Sequence, residues 1–345
     1  MKLSMQLGYA GSPRQSADQA IALEKAGIDT VWVAEAYGFD GVSLMGYLAA
    51  VTERVEIGAG ILPIYTRTPS LLAMTAAGVD SLSEGRCILG LGASGPQVIE
   101  GFHGVPYVKP LARTREIIDV CRMAWKRERL AYQGSTVQLP LPPGQGTGLG
   151  KPLKMISHPV RDRIPVYVAA LGPKNVEMTA EVADGWLPIL FHPERAASVW
   201  GEPLAAGAAK RSSELGQLEV VAGGLLAVGE DVAGVRDFAR PMVALYVGGM
   251  GARGRNFYND LARRYGYEAE AELIQDLYLD GKKDEAAAAV PESFLEATNL
   301  CGPEGYVKER LAAYKEAGVT SLNVAPVADD VPALITRLKG WIEDL

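Results

Sequence analysis

Arg86-Cys-Ile-Leu-Gly-Leu-Gly-Ala-Ser-Gly-Pro-Gln-Val98 and Pro165-Val-Tyr-Val-Ala-Ala-Leu-Gly-Pro-Lys-Asn175 each run a strand-like apolar segment into a glycine-rich turn. The first contains Gly90-Leu-Gly92-Ala-Ser-Gly95, a literal G-x-G-x-x-G, so its reading decides between two parallel-sheet folds. A dinucleotide-binding unit needs a helix at once after that motif, then a second strand within about 30 residues with an acidic residue near its end. Pro96, Gly101, Gly104 and Pro106 interrupt the segment after the motif, and the next convincing strand begins near Pro165, so that fold is rejected. In the second turn, Gly172 lets the backbone come close and Pro173 suits the first turn of a helix. The free N–H groups and positive dipole end of that helix then face whatever lies above the strand. An anion is the natural guest, and two such turns can wrap one phosphorylated ligand.

Outward from these turns, strand-like runs alternate with helix-like segments along the whole chain, the pattern of an α/β protein with a parallel sheet. Eight strands are expected near Leu3–Leu7, Thr30–Ala34, Val55–Gly60, Cys87–Gly92, Val166–Ala170, Trp186–Leu190, Glu219–Val228 and Ser321–Ala325. Helices between and after them include Ser16–Ala26, Gly41–Thr52, Ser70–Leu82, Leu111–Lys126, Lys174–Ala183 and Val331–Glu343. A small pair stops the helix before several strands, as in Lys25-Ala-Gly-Ile, Ala183-Asp-Gly-Trp and Glu316-Ala-Gly-Val, where glycine suits the C-cap. Eight such units in 345 residues favour a closed (β/α)8 TIM barrel over an open doubly wound sheet. One barrel domain spans residues 1–345 in this reading, with an irregular Pro/Gly-rich excursion at 130–164 and a charged helical insertion at 253–291. The insertion can serve a substrate pocket or a subunit contact, so a homo-oligomer stays open.

With 34 Lys+Arg against 41 Asp+Glu, a net charge of −7 and no dense basic run, nucleic acid and anionic membranes are poor partners. No apolar run approaches the roughly 20 residues of a membrane span, and the first residues read as a strand, so a cytoplasmic location is expected. Cys87, Cys121 and Cys301 are odd in number and far apart, against a disulfide framework. His103, His158 and His192 show no metal-ligand spacing, and no metal is expected.

Four segments in this order resemble the bacterial luciferase-like monooxygenase superfamily, and within it the coenzyme F420-dependent oxidoreductases. They are Val31-Trp-Val-Ala-Glu-Ala-Tyr37, Ile57-Gly-Ala-Gly-Ile-Leu-Pro-Ile-Tyr-Thr-Arg-Thr-Pro69, Leu82–Gly95, and Ala169–Asn175 followed by Ala183-Asp-Gly-Trp186. The Tyr-Thr-Arg-Thr-Pro run is similar to methylenetetrahydromethanopterin reductases. The resemblance implies a luciferase-like barrel with F420 across its C-terminal mouth, and a non-prolyl cis peptide at Gly60-Ile61 that presses a bulge against the cofactor ring. Where some F420-dependent sugar-phosphate and alcohol dehydrogenases carry Asp-His after the second strand, this chain has Glu35-Ala36-Tyr37, which counts against those branches.

Glu35 ends the second strand on the face where barrel chemistry is done, and can act as an acid or base or form a salt bridge to Arg67. Tyr37 and His103 complete the catalytic candidates, and Tyr65, Arg67 and His192 are placed at the substrate pocket. Cofactor contacts are expected from Gly60 and Ile61, from Ser94, Gly95, Gln97 and Val98, from Ala170, Gly172, Pro173, Lys174 and Asn175, and from His158 in the excursion. The function expected is hydride transfer between C5 of F420 and a small-molecule organic substrate, the protein orienting the ring and excluding water. The rivals are an FMN-dependent two-component monooxygenase and a non-catalytic flavin- or F420-binding protein.

Overall fold

The computed structural model describes residues 1–8 and 10–345. Eight strands form one parallel ring: β1 (Lys2–Gln6), β2 (Thr30–Val33), β3 (Glu56–Ala59), β4 (Cys87–Gly92), β5 (Val166–Val168), β6 (Gly185–Trp186), β7 (Glu219–Ala222) and β8 (Ser321–Pro326). Pairing runs from Met5↔Val31 through Val31↔Ile57, Ile57↔Cys87, Leu89↔Val166, Tyr167↔Gly185, Trp186↔Val220 and Val221↔Ser321. It closes at Leu3↔Leu322, so the sheet is the expected closed barrel and not an open one.

The helices outside the ring are α1 (Pro13–Lys25), α2 (Gly41–Val51), α3 (Pro69–Leu82), α4 (Pro96–Gly101), α5 (Pro110–Trp125), α6 (Pro173–Val182), α7 (Pro193–Ala208), α8 (Glu304–Glu316) and α9 (Val331–Glu343). Proline opens α1, α3, α4, α5, α6 and α7, where its missing N–H costs nothing and its φ is already helical. Gly27 and Gly318, at φ of 97° and 89°, end α1 and α8 as the sequence indicates. Gly185 does something else. It lies within β6, where a Cβ would stand 2.5 Å from the Tyr167 ring.

That contact belongs to the barrel's filling. Trp32 and Tyr167 point inward with ring centroids 5.6 Å apart and pack with Ile88 and Val221. Gly58 makes room for the indole, since a Cβ there would lie 2.3 Å from it. Below the rings, at the strands' N-terminal ends, Lys2 Nζ reaches Glu56 at 3.0 Å and Glu219 at 4.0 Å, Thr30 donates to Glu56, and the Tyr167 hydroxyl donates to Glu219. The barrel axis is thus plugged by rings above and an ionic layer beneath.

A helix that runs antiparallel to the strands returns the chain to their N-terminal ends. The excursion leaves the end of α5, so it covers that face. Tyr132–Gln133 and Gln138–Leu139 pair as the expected hairpin. Arg161 fastens the later part to buried Asp80 at the end of α3 and to the Cys87 carbonyl at the start of β4. The hairpin turn closes on Glu116 of α5, whose carboxylate accepts the N–H groups of Ser135, Thr136 and Val137 at 2.7, 2.8 and 2.8 Å. Burial works against ionisation, but these bonds and the Ser135 and Thr136 hydroxyls outweigh it and hold the Glu116 pKa at about 2. A depressed carboxyl pKa contributes stability that is complete above the unfolded value near 4.5 and disappears as pH falls toward 2. Glu116→Gln is expected to cost about 2 kcal/mol at pH 7, the scale of hydrogen bonds to a charged group. In urea titrations from pH 7 down to pH 3 the gap between the two proteins should narrow; a gap that does not depend on pH would refute this account.

The helical insertion extends further than its composition indicates, from Ala233 to Thr298. It comes after Leu225–Val228, which continues β7 past Gly223-Gly224, and it ends at Leu300–Gly302, which pairs with that continuation. It therefore sits on the strands' C-terminal side. No helix among the described residues is long and apolar enough to cross a membrane.

Candidate functional site

The C-terminal strand ends form a mouth, and its shape starts from the glycines of β4. A Cβ on Gly90 would fall 1.6 Å from the Ala59 carbonyl oxygen, and one on Gly92 would fall 2.8 Å from the Ile61 side chain. The G-x-G spacing is therefore clearance for the end of β3, not a phosphate loop of a dinucleotide fold. In the cleared space the Gly60-Ile61 peptide is cis and non-prolyl, as the resemblance implies. Trp32 lies under it, with its Cβ 3.1 Å from where a Gly60 side chain would begin.

Beside this bulge, β4 and β5 are neighbours, with Ala169 N donating to Leu91 O at 2.9 Å. The two glycine-rich turns thus lie side by side. Ser94 takes φ of 58°, and Gly95 begins α4 without a side-chain cap. Gly172 begins α6, also without one, so the first N–H groups of this ten-residue helix have no side-chain acceptor. The Asn175 Oδ1 atom in its first turn is buried and has no partner among the described residues. Ala170 holds the turn by accepting from Trp186 Nε1 at 2.8 Å. Lys174 is exposed.

The insertion supplies the wall above. Phe257 lies 4.0 Å from where a Gly172 side chain would begin, and Tyr258 packs on Tyr246 with centroids 4.7 Å apart. Tyr107 donates its hydroxyl to Ser94 O at 3.3 Å. Burial pushes the Tyr107 pKa up to about 12 and that of Tyr258 higher still, so both remain neutral donors. The sequence reading missed Tyr107, Phe257 and Tyr258. No motif carries them, and only closure of the fold brings residues 107 and 258 to one place.

On the other side, Arg67 forms a two-pronged ion pair with Glu35 at 2.6 and 2.8 Å, and a third bond to Asp40. Glu35 also accepts the Gly41 N–H at 2.8 Å, and Asp40 caps α2 through Ser43. The Glu35 hydrogen bond, above all, raises the Arg67 pKa. Partial burial opposes ionisation of Asp40, but the Ser43 hydrogen bonds and Arg67 hold its pKa below the ordinary value. Glu35 is thus engaged in the salt bridge that its position allows. Tyr37 stands exposed with its ring 6.1 Å from Phe102, and His103 meets Phe102 edge-on at 5.1 Å. His103 Nε2 has no partner among the described residues.

Three expected site residues are not brought to the mouth surface. His158 lies in the excursion beyond the opposite end of the barrel, 3.2 Å from Arg127, and cannot touch a ligand at Gly172. Tyr65 is buried under Arg113 and donates to Val108 O at 2.9 Å. His192 is buried against Tyr265 and lies 3.1 Å from Glu194, which Arg310 also grips. Burial lowers its pKa despite that carboxylate. The remaining candidates, Glu35, Tyr37, Gly60, Ile61, Arg67, Ser94, Gly95, Gln97, Val98, His103, Ala170, Gly172, Pro173, Lys174 and Asn175, all lie in loops or helix starts at the C-terminal strand ends.

A cavity also lies away from the mouth. A cavity of about 700 Å³ opens on the barrel's flank between α7 and α8, lined by Ala196, Trp200, Leu204 and Ala313. The strand ends, with their convergent polar groups, are the better site. No three His, Cys, Asp or Glu side chains among the described residues are grouped to hold a metal.

The luciferase-like monooxygenase family profile matches residues 1–321. A Mycobacterium tuberculosis protein provisionally named a coenzyme F420-dependent oxidoreductase is 42% identical, over 97% of this chain and 99% of its own length. A 5,10-methylenetetrahydromethanopterin reductase of Archaeoglobus fulgidus is 28% identical over 89% of this chain and 88% of its own. The coenzyme F420-dependent tetrahydromethanopterin reductase of Methanopyrus kandleri has the same fold, with a TM-score of 0.82 at 21% identity over 99% and 98% of the two chains. With a closed barrel, a cis bulge over β4 and a twinned turn at β4 and β5, the chain belongs to the luciferase-like monooxygenase family, in its coenzyme F420-dependent oxidoreductase branch.

Proposed function

We propose that the mouth binds coenzyme F420 and that the chain catalyses two-electron oxidation or reduction of a small organic substrate. The observation that carries this is the pairing of the glycine-cleared bulge at Gly60-Ile61 with the uncapped start of α6, in a chain 42% identical to a protein named for F420. Bound there, the deazaflavin supplies a hydride donor or acceptor at its C5. The chain's own residues do the rest. The α6 N-terminus and the Ser94–Val98 turn hold the phosphate through backbone N–H groups, and Asn175, whose Oδ1 has no partner among the described residues, donates to it through its Nδ2 once the side-chain amide is flipped. The bulge sets the height of the ring, while the Trp32–Tyr167 plug keeps water from entering along the barrel axis. The test is titration of the apo protein with F420 and with FMN, then turnover. Tight FMN binding without F420 binding would overturn the reading in favour of the flavin monooxygenase.

We further propose a homodimer through α2 and α3. These helices pack together, and their outward positions include Tyr47, Leu71, Met74 and Leu82, at 44, 45, 56 and 62% exposure. Their only charged residue, Asp80, is buried, in a chain that is 22% charged. A shared two-helix face without charge suits a second copy of itself. Sedimentation should show a dimer that Met74→Glu converts to a monomer; a monomeric parent protein would refute the pairing.

A further inference from the structure

Phenylalanine and tyrosine rings normally end up inside, so rings standing in solvent on a braced loop need a reason. Tyr37 is 67% exposed, Phe39 70% and Phe102 65%. Tyr37 and Phe39 stand on the short loop between β2 and α2. Both ends of that loop are held by one guanidinium, since Glu35 precedes it, Asp40 ends it, and Arg67 bonds to both. Phe102 is likewise fixed, as the residue that ends α4, with its N–H on Val98 O at 3.0 Å. The Tyr37 and Phe102 rings meet across the two loops, and His103 continues the row. The row rises from the same strand ends as the cis bulge.

The charges beneath it restrict what can lie there. Glu35 and Asp40 carry two negative charges against the one positive charge of Arg67, and the network uses that guanidinium on its own carboxylates. At the Tyr37–Phe102 rings a phosphate or carboxylate substrate would therefore find the Arg67 guanidinium already paired, and the Arg14 cation lines a neighbouring cavity with Phe39 and Asp40 instead. A planar uncharged molecule would find ring faces and edges, which reward offset or edge-on stacking.

We propose that the substrate is an uncharged, planar, conjugated molecule of the quinone, enone or heteroaromatic class, stacked on the Tyr37–Phe102 wall beside the cofactor. Arg67 acts as a positioning residue that holds the wall's loop. This rests on the F420 reading, and the test separates the two. Menadione, an uncharged planar quinone, is titrated calorimetrically into the F420-loaded protein, with glucose 6-phosphate as the charged comparison. Menadione should bind and the sugar phosphate should not. The Tyr37→Ala/Phe102→Ala double variant should bind menadione at least tenfold more weakly while its F420 affinity changes less than twofold, and Phe102→Trp should keep menadione binding. Arg67→Ala should weaken menadione binding and Arg67→Lys should restore part of it. Menadione binding that the double variant leaves unchanged, or equal binding of the sugar phosphate, overturns the substrate class. Failure of F420 itself to bind overturns the underlying reading instead.

Discussion

Gly90→Ala is expected to leave little or no soluble folded protein. The added methyl carbon would lie 1.6 Å from the Ala59 carbonyl oxygen and 2.8 Å from its carbon, both backbone atoms, and β4 cannot withdraw because it is paired to β3 and β5. Ordinary overpacking costs about 1–3 kcal/mol when side chains can yield. Here none can, and a loss above about 4 kcal/mol would consume much of the roughly 5–15 kcal/mol that typically holds a domain. Gly340→Ala is the matched control. It sits in α9 with nothing within 4 Å of the new carbon, so alanine should stabilise by about 0.5–1 kcal/mol. Denaturant midpoints of the two variants against the parent decide the matter, and a Gly90→Ala protein with an ordinary midpoint would show that the bulge is not held as described.

The second large effect concerns binding rather than folding. Gly172 has φ of −69° and open space around its missing Cβ, with the Phe257 ring 4.0 Å away, so a larger residue fits the backbone without strain. What it blocks is the approach of an anion to the start of α6. Gly172→Leu should therefore weaken F420 binding at least a hundredfold, measured by cofactor fluorescence, with thermal unfolding of the apo protein within a few degrees of the parent. Lys174→Ala should cost only severalfold, and less at high salt, because that side chain acts as an exposed charge. Equal F420 affinity in Gly172→Leu would remove α6 from the site.

Much of the framework was legible because parallel barrel strands are buried on both faces and read as continuous apolar runs closed by turn residues. Six of the eight were placed within two residues, Cys87–Gly92 at its bounds, whereas the expected Trp186–Leu190 shares only Trp186 with β6 and the expected Glu219–Val228 is broken after Ala222 by Gly223-Gly224. What the sequence hides is which of two jobs a glycine has. Gly27 and Gly318 end helices, whereas Gly185 clears space for a ring that belongs to β5. Of the site, the bulge and the twinned turns were legible because each is a local signal. The pairing of Glu35 with Arg67 spans 32 residues and could only be posed as one of two outcomes. Tyr65 and His192 were drawn to the mouth by their polarity, and burial, a property of the closed fold, removed them. His158 failed for a simpler reason: a segment between α5 and β5 must lie at the strands' N-terminal ends, whatever its composition.

The ring closes between Lys2–Met5 and Ser321–Val324, so the barrel strand that is synthesised first pairs with the barrel strand that is synthesised last. Until β8 has emerged, β1 has one open edge, and so does each newest strand of the growing sheet. The loop joining the two partners is nearly the whole molecule, which makes this contact the slowest kind to find. During synthesis the chain is thus a curved sheet with two sticky borders, and the last α/β unit is the clasp that removes both at once. Loss of a few residues from β8 would leave both borders open for good and turn a closed barrel into an open sheet that aggregates through its edges.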